Sequence, residues 1–147
     1  MSSSTTTSTV RTISVAQLRS GANKLTNLLE IAKCAGWAKR DGACMLFLPE
    51  NFGLMDISSE QTLLKAEPPL SQDAKENPSS ISQALRDAVT ASAAGNSIVQ
   101  AETKDEILSL LDGLKTIARA SNMWISGGGM AVSGAPPSES SKPRVYN

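Results

Sequence analysis

Histidine is absent from this 147-residue chain, and cysteine occurs only twice, at Cys34 and Cys44. Without histidine, no Ser-His-Asp or Cys-His catalytic pair can be assembled within the chain. Two cysteines cannot fill a tetrahedral zinc site, and neither a metal nor a cofactor is expected. Aromatic residues make up 3% of the sequence, too few for the stacking platforms that bind single-stranded nucleic acid. Basic and acidic residues balance at 14 each, so no net field draws the chain to nucleic acid or an anionic membrane. No apolar run approaches the ~20 residues that cross a bilayer. The expected partners therefore include neither nucleic acid nor membrane.

The first residues lack an apolar segment as well. Residues 1–11 are rich in Ser and Thr with Arg11 the sole charge, and they read as a flexible leader rather than a secretory signal. The free thiols of a chain without an export signal fit a reducing, cytoplasmic setting. The Ser-rich, acid-free leader keeps organelle import as the alternative.

What is present alternates between two periods. Thr12 to Leu18 places Ile13 and Val15 on one side, the pattern of a strand. Asn23 is suited to cap a helix in which Leu25, Leu28, Leu29, Ala32 and Ala35 recur at helical spacing, to about Lys39. Asp41-Gly42 closes that helix, and the apolar run Ala43 to Leu48 reads as a strand buried on both faces. A strand, a helix of about four turns and a second strand suit a parallel crossover, which makes the fold class α/β.

Farther along, a short helix with Ser59, Thr62, Leu63 and Leu64 near its core is expected to stop at Pro68-Pro69. Residues 71–80 read as a loop. Ser80 and Gln83 form a capping-box pattern opening a helix to about Ala94, with Gly95 just past its end. Thr103 to Glu106 form a second such pattern, before Ile107, Leu110, Leu111, Leu114, Ile117 and Ala118 on one helical face. Met123 to Ser126 should be a third strand ending in three glycines. Ser133 to Pro143 should be an exposed loop, and Val145-Tyr146-Asn147 the opening of another strand.

Glu50 is the residue singled out for chemistry. Pro49 cannot donate to a strand ladder, so the buried strand stops there and delivers Glu50 at its C-terminal mouth. A carboxylate there can serve as a general base, helped if Phe47 and Phe52 exclude water around it; the plainer alternative is a solvated carboxylate at a strand end. Gly127-Gly128-Gly129 matches neither the dinucleotide nor the Walker phosphate motif, and reads as a tight turn after a strand. Cys34 and Cys44 read as packing residues.

Several short blocks, in order, resemble the nitrilase or carbon–nitrogen hydrolase superfamily. Val15-Ala16-Gln17-Leu18 is similar to its opening strand, and Phe47-Leu48-Pro49-Glu50 to its block ending in a catalytic glutamate. Met123 to Gly128 is similar to the strand that ends in its glycines, and Val145-Tyr146-Asn147 to the block that follows. Leu63-Leu64 and Glu67-Pro68-Pro69-Leu70 look like the amidase branch, near the omega-amidases and the deaminated-glutathione amidases.

The resemblance implies a four-layer αββα sandwich and a Glu-Lys-Cys triad in which Glu50 is the base. It implies hydrolysis of a small linear amide through a thiol nucleophile, and a homo-oligomer when the protein is intact. On this reading residues 12–147 are the N-terminal part of the hydrolase domain, with an insertion at about 71–104. The family's lysine and cysteine motifs are expected beyond Asn147, so this piece alone should be inactive. The alternative is a catalytically inactive half-fold that works as a protein-interaction module.

Overall fold

The computed structural model describes residues 11–55, 58–67, 76–96, 108–133 and 145–146. They form β1 (Thr12–Val15), α1 (Lys24–Arg40), β2 (Ala43–Phe47), α2 (Ser59–Lys65), α3 (Ser79–Ala93), α4 (Leu110–Ser121), β3 (Trp124–Ser126), β4 (Val132–Ser133) and β5 (Val145–Tyr146). The chain is α/β. β1, β2 and β3 make a parallel sheet with β2 in the middle, and β4 and β5 form a separate antiparallel pair.

α1 forms where its spacing predicts. The Asn23 side chain accepts from the Thr26 amide at 2.9 Å, which satisfies one of the orphan N–H groups of the first turn. Leu25, Leu28, Ile31, Ala32, Ala35 and Ala38 are buried on one face, and Lys39 and Arg40 complement the carbonyl end of the helix dipole. Gly42 takes the left-handed conformation, φ 76°, that lets the chain reverse into β2.

The sheet's two faces have different fates. Register aligns Ser14, Leu46 and Ile125 in one row. That row points at the helices: Leu46 is buried and Ile125 packs on the core. The rows on either side, Ile13–Met45–Trp124 and Val15–Phe47–Ser126, point the opposite way. On that face Ile13, Val15 and Trp124 are 58%, 77% and 79% exposed. The helices thus cover one face of the sheet, while the other presents apolar side chains to solvent.

α3 falls inside the stretch expected to be an insertion, yet it supplies core. Ile81, Leu85, Ala88, Val89 and Ser92 are buried. A Cβ on Gly36 of α1 would lie 2.5 Å from the Val89 carbonyl oxygen and 2.6 Å from the Ser92 Cβ. The two helices therefore touch backbone to backbone, a separation only glycine permits.

The structure corrects five local expectations. β2 is not buried on both faces: Cys44, Met45 and Phe47 are partly exposed, because the helices cover one face of the sheet only. The first strand ends at Val15 rather than Leu18; the Ala16 amide makes one more bond, to Phe47 O at 2.8 Å, before the chain turns away. α3 opens at Ser79 with no side-chain cap, because Pro78 precedes it and its carbonyl accepts from Ile81 and Ser82; Gln83 instead bonds Asp87 and Arg86 along the exposed surface. α4 opens only at Leu110, because Ser109 accepts from the Asp112 amide and is the true N-cap. Leu64 is 85% exposed: neighbouring helical residues lie about 100° apart, and Leu64 takes the solvent side of α2. The expected Gly95 terminus does form, with φ 80°. The leader residues 1–10, Pro68-Pro69, the loop residues 71–75, the Thr103–Glu106 pattern, Ile107, residues 134–144 and Asn147 lie outside the described residues, as do the Ser59 and Leu63 side chains.

Candidate active site

Because the three strands of the main sheet are parallel, their C-terminal ends lie at one edge, where open α/β sheets gather ligand-binding groups. Three loops meet there: residues 16–22 after β1, residues 48–55 after β2, and residues 127–131 after β3. Glu50 stands in the middle loop, in the turn that directly follows Pro49, and its side chain is exposed. The water-excluding shell expected from Phe47 and Phe52 does not form. Phe47 belongs to the open face of the sheet, and the Phe52 ring is buried against Gly127.

The backbone that carries Glu50 is held from both sides. Toward β3, the Leu48 amide donates to Ser126 O at 2.9 Å, and the Asn51 amide donates to Gly129 O at 3.0 Å. Between these two bonds Gly128 lies against the Pro49–Glu50 peptide. A Cβ there would overlap the Pro49 carbonyl oxygen and sit 2.7 Å from the Glu50 nitrogen. Asn51 takes φ 56°, the left-handed conformation that asparagine tolerates better than most residues. The three glycines are therefore not a simple tight turn. None of them occupies the left-handed region, and Gly128 is needed because two backbones touch there.

Toward β1, Asn27 of α1 anchors the loop. Its Nδ2 donates to Gly21 O and Gly53 O, both at 2.8 Å, and its Oδ1 accepts from the Gly21 amide at 2.9 Å. Ser20 Oγ donates to Phe52 O at 2.9 Å. The Asn27 amide thus ties Gly21 and Gly53 together beside α1.

A second cluster lies behind the glycine loop. Glu67 is 3% exposed. Its carboxylate accepts from Lys24 Nζ at 2.7 Å, the Leu110 amide at 3.0 Å and Ser109 Oγ at 3.1 Å. Lys24 Nζ also donates to Leu108 O at 3.0 Å. Asn77 completes the frame, donating to Ser109 O at 2.9 Å and accepting from the Ser109 amide at 2.8 Å. The Glu67 amide in turn donates to Ala131 O at 2.9 Å.

A cavity of about 340 Å³ opens between α4 and the sheet edge, lined by Phe52, Leu114, Lys115, Ile125, Gly127 and Met130 among others. Neither cysteine is close in chain geometry to Glu50. Cys44 is the second residue of β2, and about 13 Å of extended strand separates it from Leu48. Cys34 lies on α1, where burial first and the Glu30 charge second raise its thiol pKa above the ordinary value, opposite to what a nucleophile needs. Among the described residues no cluster of His, Cys, Asp or Glu could hold a metal ion, and no helix is long and apolar enough to cross a membrane.

Sequence reasoning singled out Glu50 and gave no structural role to Lys24, Asn27, Glu67 or Ser109. A signal for Asn27 exists: it is a polar residue directly beside Leu28 on the buried side of α1. Glu67 carries a fainter one, a lone acid among Ala66, Pro68 and Pro69.

A 52-residue stretch of the chain is 42% identical to "Nitrilase and fragile histidine triad fusion protein NitFhit" of Drosophila melanogaster. The stretch is 35% of this chain and 11% of that protein. No family model matches the chain, and no solved structure matches it.

Proposed function

We propose that this chain is the N-terminal part of a carbon–nitrogen hydrolase of the nitrilase type, acting on a small linear amide, with Glu50 as its general base. The observation that carries the reading is the place of Glu50: it follows the proline that ends the central parallel strand, on a turn braced by both neighbouring loops. The likeness to NitFhit supports the same reading. The chain contains no histidine, so the nitrilase half of that name is the relevant one.

In such a reaction Glu50 accepts the proton of a cysteine thiol, and the thiolate attacks the amide carbon. The amine leaves as ammonia or a substituted amine, and water then cleaves the thioester. A lysine ammonium stabilises the negative charge that develops on the carbonyl oxygen. Neither cysteine of this chain is placed for the nucleophile's role, so on this reading the thiol comes from outside these 147 residues, and the family resemblance puts the lysine motif there as well. The open sheet face of Ile13, Val15 and Trp124 is then the surface on which a second sheet packs to make the αββα sandwich, in a homo-oligomeric, cytoplasmic enzyme. The test is ammonia release from short primary amides. The product of the complete reading frame should release it and the 147-residue chain alone should not; turnover by the chain alone overturns the assignment of thiol and lysine.

The same exposed face favours a second reading, a non-catalytic module that binds another protein through its sheet. A native complex that forms through this face, and dissociates when Val15 and Trp124 are made lysine, supports it over the enzyme.

A further inference from the structure

Among the described residues, Glu67 is the most deeply buried charged residue, and the side chain of its partner Lys24 is nearly as buried. Helix capping alone does not account for it. The Ser109 hydroxyl already caps α4 by accepting from Asp112, and a cap at Leu110 has no use for the Lys24 ammonium. What Glu67 holds is better read from its backbone. Its amide bonds Ala131 O, and it forms a parallel bridge with Val132. From Ala131 the strap runs back through Gly129, which accepts from Asn51, and Gly128, which lies against the Glu50 peptide, to Ser126, which accepts from Leu48. A run of three glycines resists bending and twisting less than any other sequence. The strap therefore cannot keep its own place, and it needs an anchor at each end. β3 supplies the near anchor; at the far end Glu67 holds Ala131 and Val132 beside the β4–β5 pair.

We propose that Glu67, held by Lys24, Ser109 and Leu110, is a positioning residue that sets the Pro49–Glu50–Asn51 turn through the glycine strap. This rests on the reading of Glu50 as the base. Glu67 touches no reacting atom; it fixes where the Glu50 carboxylate starts from. A displacement of about 1 Å at a catalytic group costs up to roughly a hundredfold in rate, so a strap left loose at its far end is a catalytic defect without any contact to substrate.

The experiment is NMR on the full 147-residue chain, which needs no enzymatic activity. Its readouts are hydrogen exchange at the Asn51 amide and the left-handed carbon shifts of Asn51. Glu67→Gln is the first variant. The second is Lys24→Met with Glu67→Leu, which removes both charges and strands neither. The expected result in both is at least tenfold faster exchange at Asn51 and loss of its left-handed signature, with Leu28 and Ile31 of α1 protected as in the parent. A merely capping role disturbs the amides of Leu110 to Asp112 and leaves Asn51 unchanged; that outcome in either folded variant overturns the proposal. Global unfolding of both variants overturns it too, because the pair is then a determinant of folding and not a local device. Whether Glu50 is a base is decided separately, by Glu50→Gln in the intact enzyme, so the two claims fail independently.

Discussion

Replacing Lys24 by methionine removes the ammonium from a carboxylate that has almost no access to water. Glu67 keeps the Leu110 amide at 3.0 Å and the Ser109 hydroxyl at 3.1 Å, and loses the ammonium at 2.7 Å. Removing one partner of a buried ion pair costs about 3–5 kcal/mol, because the remaining charge stays buried and uncompensated. A domain of this kind has only about 5–15 kcal/mol of total stability, so the single substitution consumes a large share of it. Exchanging both members for apolar side chains of similar length strands no charge and should fall within about 2 kcal/mol of the parent. The loss that remains comes mainly from the Leu110 amide, at about 1 kcal/mol. Urea unfolding followed by circular dichroism measures all four members of the double-mutant cycle. The expected coupling between Lys24 and Glu67 exceeds about 2 kcal/mol. A single-variant cost below about 1 kcal/mol, the range of exposed pairs, refutes the description of this cluster as a buried clamp.

Gly36→Ala should lower stability by about 1–3 kcal/mol, since the new Cβ meets the Val89 carbonyl and the Ser92 Cβ; an unchanged melting temperature would show that α1 and α3 do not pack so closely. Val15→Lys with Trp124→Lys should leave the unfolding midpoint nearly unchanged and reduce self-association in sedimentation velocity, because both side chains stand on the open sheet face. Alkylation of Cys34, followed by peptide mass spectrometry, should be slow at neutral pH and accelerate only above the ordinary thiol range, because its folded pKa is raised by burial. The linkage has the matching sign: the contribution of Cys34 to stability is present below the unfolded thiol value and is lost as pH rises through the folded one. Fast labelling at neutral pH contradicts the burial.

The parts of this fold that are local in sequence were legible in it. The α1 stripe and its Asn23 cap, the unbroken apolar run of β2 and its end at Pro49 each need only a few adjacent residues to be recognised. The boundaries of α3 and α4 were not legible in the same way. Ser80 and Gln83 make a plausible cap pattern, but Pro78 is the N-cap and starts the helix two residues earlier. The start of α4 is set by Ser109, whose place is fixed by Asn77 and Glu67, residues 32 and 42 positions away. The position of Glu50 followed from a strand and a proline. Its surroundings did not, because the Phe52 ring packs under Gly127 rather than over the carboxylate. The glycine cluster was visible as a break in the pattern, but its reason, contact with the Pro49–Glu50 peptide, exists only once β2 and β3 are paired. Long-range polar contacts of this kind leave almost no periodic trace in a single sequence.

The most direct test of Glu50 as the base compares ammonia release from a short primary amide by the product of the complete reading frame and by its Glu50→Gln variant. Glu50 is exposed on a turn, and glutamine keeps the size of its side chain, so the variant should fold. The account predicts a fall in kcat of at least about a hundredfold, with the variant folded. A folded variant that retains the parent's turnover contradicts it.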